Sequence, residues 1–137
     1  MFLNKEKKKN ENSYLVKVGA LLIHAAKIDE KYSNKEKEII KKTLVELGAN
    51  QNDLEELMDS AKKSEEKSNQ ILDFTKEIKK MDNNEKIKII KSLWKIIYSD
   101  KDADIYETNL MRRLSGLLYI ENKTMGDIKE EIKKEIL

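Results

Sequence analysis

Apolar residues recur three and four positions apart along most of this chain, the rhythm of one buried helix face, and polar clusters interrupt it at intervals. Leu15, Val18, Leu22, Ala25 and Ala26 share such a stripe and predict a first helix from about Asn12 to Ile28, ending near Asp29. A second helix opens at Ser33, where Ser33-Asn34-Lys35-Glu36 has the form of a capping box. It buries Ile39, Ile40, Thr43, Leu44 and Leu47 and stops at Gly48. Asn52 predicts the cap of a third helix carrying Leu54, Leu57, Met58 and Ala61. A fourth, from near Ser68, carries Ile71, Phe74, Thr75 and Ile78.

After the polar break at Met81-Asp82-Asn83-Asn84, Ile87, Ile90, Leu93, Trp94 and Ile97 mark a central helix from about Glu85 to Ser99. Asp104 is the expected cap of a sixth helix with Leu110, Met111, Leu114, Leu117 and Leu118. Met125, Ile128, Ile132 and Ile136 form the narrow stripe of a last one, expected to dock on the bundle. The expectation is an all-α fold: one bundle of six to seven helices, with residues 1–11 a charged flexible tail and 12–137 the domain.

Shifting the chain by 71 positions lays Leu22 on Leu93, Asp29 on Asp100, Glu36 on Glu107 and Leu47 on Leu118, with Asp53 close to Thr124. Amphipathic helices match by chance. An aspartate seven residues ahead of a glutamate across a loop does not follow from helical periodicity, so the coincidence marks an internal repeat. Repeat one covers about residues 14–52, linking helices about 53–82, and repeat two about 85–123.

Composition narrows the function classes. The length of 137 residues suits one domain, and charged residues make up 39% with no proline, which favours helices. A net charge of +2 with interspersed signs, and only Arg112 and Arg113 as arginines, argues against nucleic-acid binding. There is no cysteine, which removes disulfides, thiolate metal sites and a thiol nucleophile. The longest apolar stretch, Val18 to Ala26, is far short of the roughly 20 residues a membrane span needs, so the expected compartment is the cytoplasm. Met1 to Lys9 sets apolar residues before a basic run, which leaves peripheral membrane association open beside the plain reading of a solvated tail.

The lone histidine, His24, lies inside an apolar helix without a Glu-x-x-His partner, so it is read as structural and no catalytic residue is assigned. Trp94 is read as core, and Arg112 and Arg113 as surface ion-pairing residues with an anion as the other option. Asp100-Lys101-Asp102-Ala103-Asp104 imitates the start of an EF-hand loop, but Ile105 and Met111 occupy the positions of its glycine and bidentate glutamate.

The two loop segments, Ala26 to Glu36 and Ile97 to Glu107, resemble the TerB-like family of tellurite-resistance and stress-response proteins over roughly residues 14 to 125. They are also similar to the related amino-terminal domain of a membrane-anchored DnaJ-type co-chaperone. That resemblance implies an all-helical pseudo-twofold fold of bacterial stress-response type, no catalytic role, protein partners, and a divalent-cation site at the acidic loops. The matching residues are Asp29, Glu36, Asp100 and Glu107. These would offer hard oxygens to Ca²⁺ or Mg²⁺, with Asp102 and Asp104 as helpers. Both copies depart from the family pattern, with Glu30 and Lys101 where it has a glycine. The competing expectation is metal-free: the glutamates reach back to cap their helices, the aspartates tie down loop amides, and the domain is a co-chaperone-like or structural interaction module.

Overall fold

The computed structural model describes residues 2–28, 32–100 and 105–136, with side chains described for 13–28, 32–99 and 108–136. Among them are seven α-helices and no strand: α1 (Phe2–Lys27), α2 (Asn34–Glu46), α3 (Leu54–Lys67), α4 (Leu72–Ile78), α5 (Asn83–Ile97), α6 (Ile105–Leu117) and α7 (Asn122–Ile136). Short 3₁₀ turns at Gln51–Asp53 and Tyr98–Asp100 lead into α3 and out of α5. The all-α expectation holds, and no described helix is long and apolar enough to cross a membrane.

Helix starts follow local hydrogen-bond chemistry. Ser33 caps α2 and Asp82 caps α5, each side chain accepting from the backbone N–H three residues on, which satisfies an amide with no partner inside the helix. The expected cap at Asn52 is corrected: Asn50 accepts from the Asn52 N–H at 3.0 Å and opens the 3₁₀ turn ahead of α3. Ser68 does not start α4. Its hydroxyl donates to the Gln70 carbonyl at 2.9 Å and also bonds Asp73, holding a turn that delays the helix to Leu72. The first helix begins at Phe2, ten residues ahead of the expected Asn12, since the Lys-, Glu- and Asn-rich lead contains neither glycine nor proline to break it. The expected cap Asp104 lies outside the described residues.

The repeat is built into the backbone. α2 and α6 occupy residues 34–46 and 105–117, the same span displaced by 71. Both end in the same motif: the Gly48 and Ala49 N–H groups donate to the Val45 and Leu44 carbonyls, and those of Tyr119 and Ile120 to the Gly116 and Ser115 carbonyls. Gly48 has φ 109° and its counterpart Tyr119 has φ 57°, so an exposed tyrosine takes the left-handed conformation that glycine adopts freely. Tyr119→Gly is expected to stabilise the fold by about 0.5–1 kcal/mol, and Gly48→Ala to cost about 1 kcal/mol, both read as shifts of the urea midpoint at constant m.

Two helices form the centre. α5 buries Ile90, Leu93, Trp94 and Ile97 of its expected stripe, leaves Ile87 only partly buried, and buries Ile89 and Ile96 besides. α1 is equally central: Val18, Ala20, Leu21, Leu22, Ile23, Ala25 and Ala26 are buried on nearly every side, and the helix packs against α2, α3, α4 and α5. The Thr43 hydroxyl of α2 and the Ser92 hydroxyl of α5 pair in the core: one donates to the other, which in turn donates to the carbonyl four residues back on its own helix, so burial leaves neither hydroxyl wanting. The α7 stripe docks on α5 through Met125, Ile128 and Ile132. Along that seam Trp94 and Tyr98 stack, and Lys129 and Lys133 lie over their rings at 5.5 and 6.0 Å from the centroids.

Candidate functional site

The segment singled out in the first repeat leaves α1 at Lys27 and enters α2 at Asn34. Its entry is a complete capping box: Glu36 Oε1 accepts from the Ser33 N–H at 2.8 Å, and Ser33 Oγ accepts from the Glu36 N–H at 3.2 Å. Glu36 is only 2% exposed, which is unusual for a carboxylate, and its charge is held by the charge-assisted bond to the cap amide. Tyr32 packs beside it, with Lys37 Nζ 5.1 Å from the ring centroid. Burial, and secondarily the Glu36 charge, push the Tyr32 phenol up to about 12.

Of the four residues expected to ligate a cation, Glu36 alone has a described side chain. Asp29 lies outside the described residues, as do Asp102 and Asp104, while Asp100 ends the 3₁₀ turn after α5 and Glu107 is the third residue of α6. Glu36 is likewise the third residue of α2, so both glutamates occupy the same helical position. Among the described residues, no three His, Cys, Asp or Glu side chains form a metal-binding group.

Two observations place the surroundings. Ile28, the last described residue before Asp29, lines a groove of about 440 Å³ with Asn109, Leu110 and Arg113 of α6. The exit of α1 therefore faces α6 across this groove. The same exit is tied to α3, where Glu65 Oε2 accepts from Lys27 Nζ at 2.8 Å and Oε1 lies 3.4 Å from His24 Nδ1. His24 is half-buried and serves this helix contact, in keeping with its structural reading.

Sequence reasoning missed three polar contacts because each joins residues far apart in the chain. Glu65 is one. Tyr14 donates to Glu85 Oε2 at 3.2 Å, and these two are themselves 71 apart, so equivalent positions of the two repeats meet at the seam between α1 and α5. Buried Lys86 donates to the Leu118 carbonyl at 3.0 Å and caps the end of α6. The repeat offset was the available signal for the second; nothing local announced the others.

Tyr14 is also shifted upward, by burial first and then by the Glu85 charge and hydrogen bond. Both phenols are thus held neutral in the folded state. Their contribution to stability is complete below the ordinary phenol pKa near 10 and disappears as pH rises through the folded values. The expected result is a steep loss of stability between pH 10 and about 12, attenuated in Tyr32→Phe and Tyr14→Phe and read from urea midpoints across that range.

The family model described as tellurite resistance protein TerB matches residues 15–130. The chain belongs to the TerB family. That span reaches from α1 into α7, so Asp29, Glu36, Asp100 and Glu107 all fall inside the region matched to TerB. Comparison with curated proteins and with solved structures gives no match.

Proposed function

We propose that this TerB-family chain is a non-enzymatic protein-interaction module of the tellurite-resistance and stress-response type, working in the cytoplasm, whose duplicated acidic loops bind a divalent cation, Ca²⁺ or Mg²⁺. The residues assigned to the cation are Asp29, Glu36, Asp100 and Glu107. The observation that carries the reading is the duplication itself: two loops, each leading to a glutamate at the third position of its helix, with Ile28 at the edge of the first loop sharing a groove with α6. That proximity supports one shared end of the bundle for both sets of acids. Glu36 suits a dual role, since a carboxylate has two oxygens and about four lone-pair directions, enough to cap an amide and meet a cation together.

Calorimetric titration of chelator-treated protein with Ca²⁺, Mg²⁺ and Zn²⁺ tests it. Heat and a rise in Tm are expected with Ca²⁺ or Mg²⁺, both lost in Asp29→Asn and Asp100→Asn. No heat and no stabilisation at millimolar metal would overturn the cation assignment. It would leave the second reading, a metal-independent, co-chaperone-like interaction domain, which the completed capping box at Ser33 and Glu36 favours because the acid already has a structural task.

A further inference from the structure

The basic run ahead of Leu15 belongs neither to the buried stripe of α1 nor to the acidic loops. α1 starts at Phe2, but Leu15 is the first of its described side chains to be buried, and the match to the TerB family also begins at residue 15. Residues 4–13 contain no apolar side chain, so this stretch lacks the stripe by which a helix packs on a bundle. From Phe2 to Leu15 the helix rises about 20 Å at 1.5 Å per residue.

The charge of the chain is concentrated in this lead. Its 28 basic and 26 acidic side chains give +2, of which Lys5, Lys7, Lys8 and Lys9 against Glu6 contribute +3, so everything after Lys9 is close to neutral at −1. Phe2 and Leu3 stand directly ahead of the lysines, in the first turn of the helix. A short apolar signal joined to a polybasic run holds a chain reversibly at an anionic membrane surface, where each lysine adds about fivefold to affinity and one signal alone anchors poorly. A nucleic acid would use the lysines, but the run has no arginine for bidentate phosphate contact, and the apolar pair beside it favours lipid. We propose that residues 2–9 hold this domain on an anionic lipid surface, Phe2 and Leu3 supplying the apolar contact and the four lysines the charge. None of the residues assigned to the cation takes part, so this docking stands or falls independently of the cation reading.

Co-sedimentation of the full chain with vesicles tests it, comparing phosphatidylcholine alone with phosphatidylcholine containing about 30% phosphatidylglycerol. Binding is expected to the anionic vesicles only, and to weaken steeply as salt rises from about 0.1 to 0.5 M. The triple change Lys7→Gln, Lys8→Gln and Lys9→Gln keeps good helix formers in place and should weaken binding about tenfold or more. Lys62→Gln, Lys63→Gln and Lys67→Gln remove the same charge from exposed positions of α3 and should leave binding unchanged. Phe2→Gln with Leu3→Gln should also weaken binding about tenfold, which adsorption by charge alone does not predict. All three variants should keep the wild-type urea midpoint. Absence of binding to the anionic vesicles, equal binding to phosphatidylcholine, full binding by the Phe2 and Leu3 variant, or an equal loss in the α3 variant would overturn the proposal. So would tighter binding to a poly(U) oligonucleotide than to the anionic vesicles, which would give the lysine run to nucleic acid instead.

Discussion

Gly19→Leu is expected to cost more than about 3 kcal/mol, unfolding much of the population of an ordinarily stable domain under mild denaturant. A Cβ built on Gly19 would lie 2.8 Å from the Ala61 Cβ, inside any tolerable contact, with the Leu44 methyls behind it at 3.7 and 4.0 Å. The Ala61 methyl is bonded directly to the α3 backbone and has no torsion by which to retreat. The only relief is to part α1 from α3, the most extensive helix pairing in the fold. Even Gly19→Ala should be a net loss of about 1–2 kcal/mol, since the gain in helix propensity of about 1 kcal/mol is smaller than the cost of overpacking. The diagnostic is the pair Gly19→Ala with Ala61→Gly. If the clash is the cause, the double variant recovers stability that neither single change predicts, with a coupling above about 1 kcal/mol in a double-mutant cycle. An unchanged urea midpoint in Gly19→Leu would show that the two helices do not approach this closely.

Gly19 also shows where a pattern of residue types stops being informative. Periodicity names a glycine in an apolar run but does not say which helix presses on it, because α3 reaches α1 only through the tertiary fold. What could be read from the chain was what local chemistry dictates. The capping box at Ser33 and Glu36, the helix stop at Gly48 and the 71-residue offset all survive as hydrogen bonds or helix bounds. The start of α1 was placed late because its Lys- and Glu-rich lead carries no apolar rhythm, although those residues are good helix formers. The fourth helix is expected from near Ser68, whose hydroxyl instead closes a turn with Asp73 ahead of the helix, one of the local roles open to a serine. Beside the candidate site, the tie from His24 and Lys27 to Glu65 depends on α1 meeting α3, which no local spacing encodes.

The candidate acidic site turns on what Glu36 does, and three substitutions separate its tasks. Glu36→Ala removes the acceptor of the Ser33 N–H and leaves a void at a position 2% exposed, so a loss of about 2 kcal/mol is expected in chelator-treated protein. Glu36→Gln keeps a carbonyl oxygen of the same reach, and capping boxes accept glutamine, so the loss should fall below about 1 kcal/mol if the cap is the stabilising element. The charge has its own reporter. Glu36 helps to raise the neighbouring Tyr32 phenol to about 12, so either substitution should bring that value down, while burial, the larger cause, keeps it above the ordinary value. Tyr32 ionisation followed by NMR thus reads the charge, and the urea midpoint reads the cap. Asp29→Asn supplies the third comparison: if it abolishes metal stabilisation while leaving the metal-free midpoint and the Tyr32 titration unaltered, the loop acid and the cap acid have divided the work. Should Glu36→Gln prove as damaging as Glu36→Ala without metal, the buried charge rather than the cap bond would be what holds the entrance of α2.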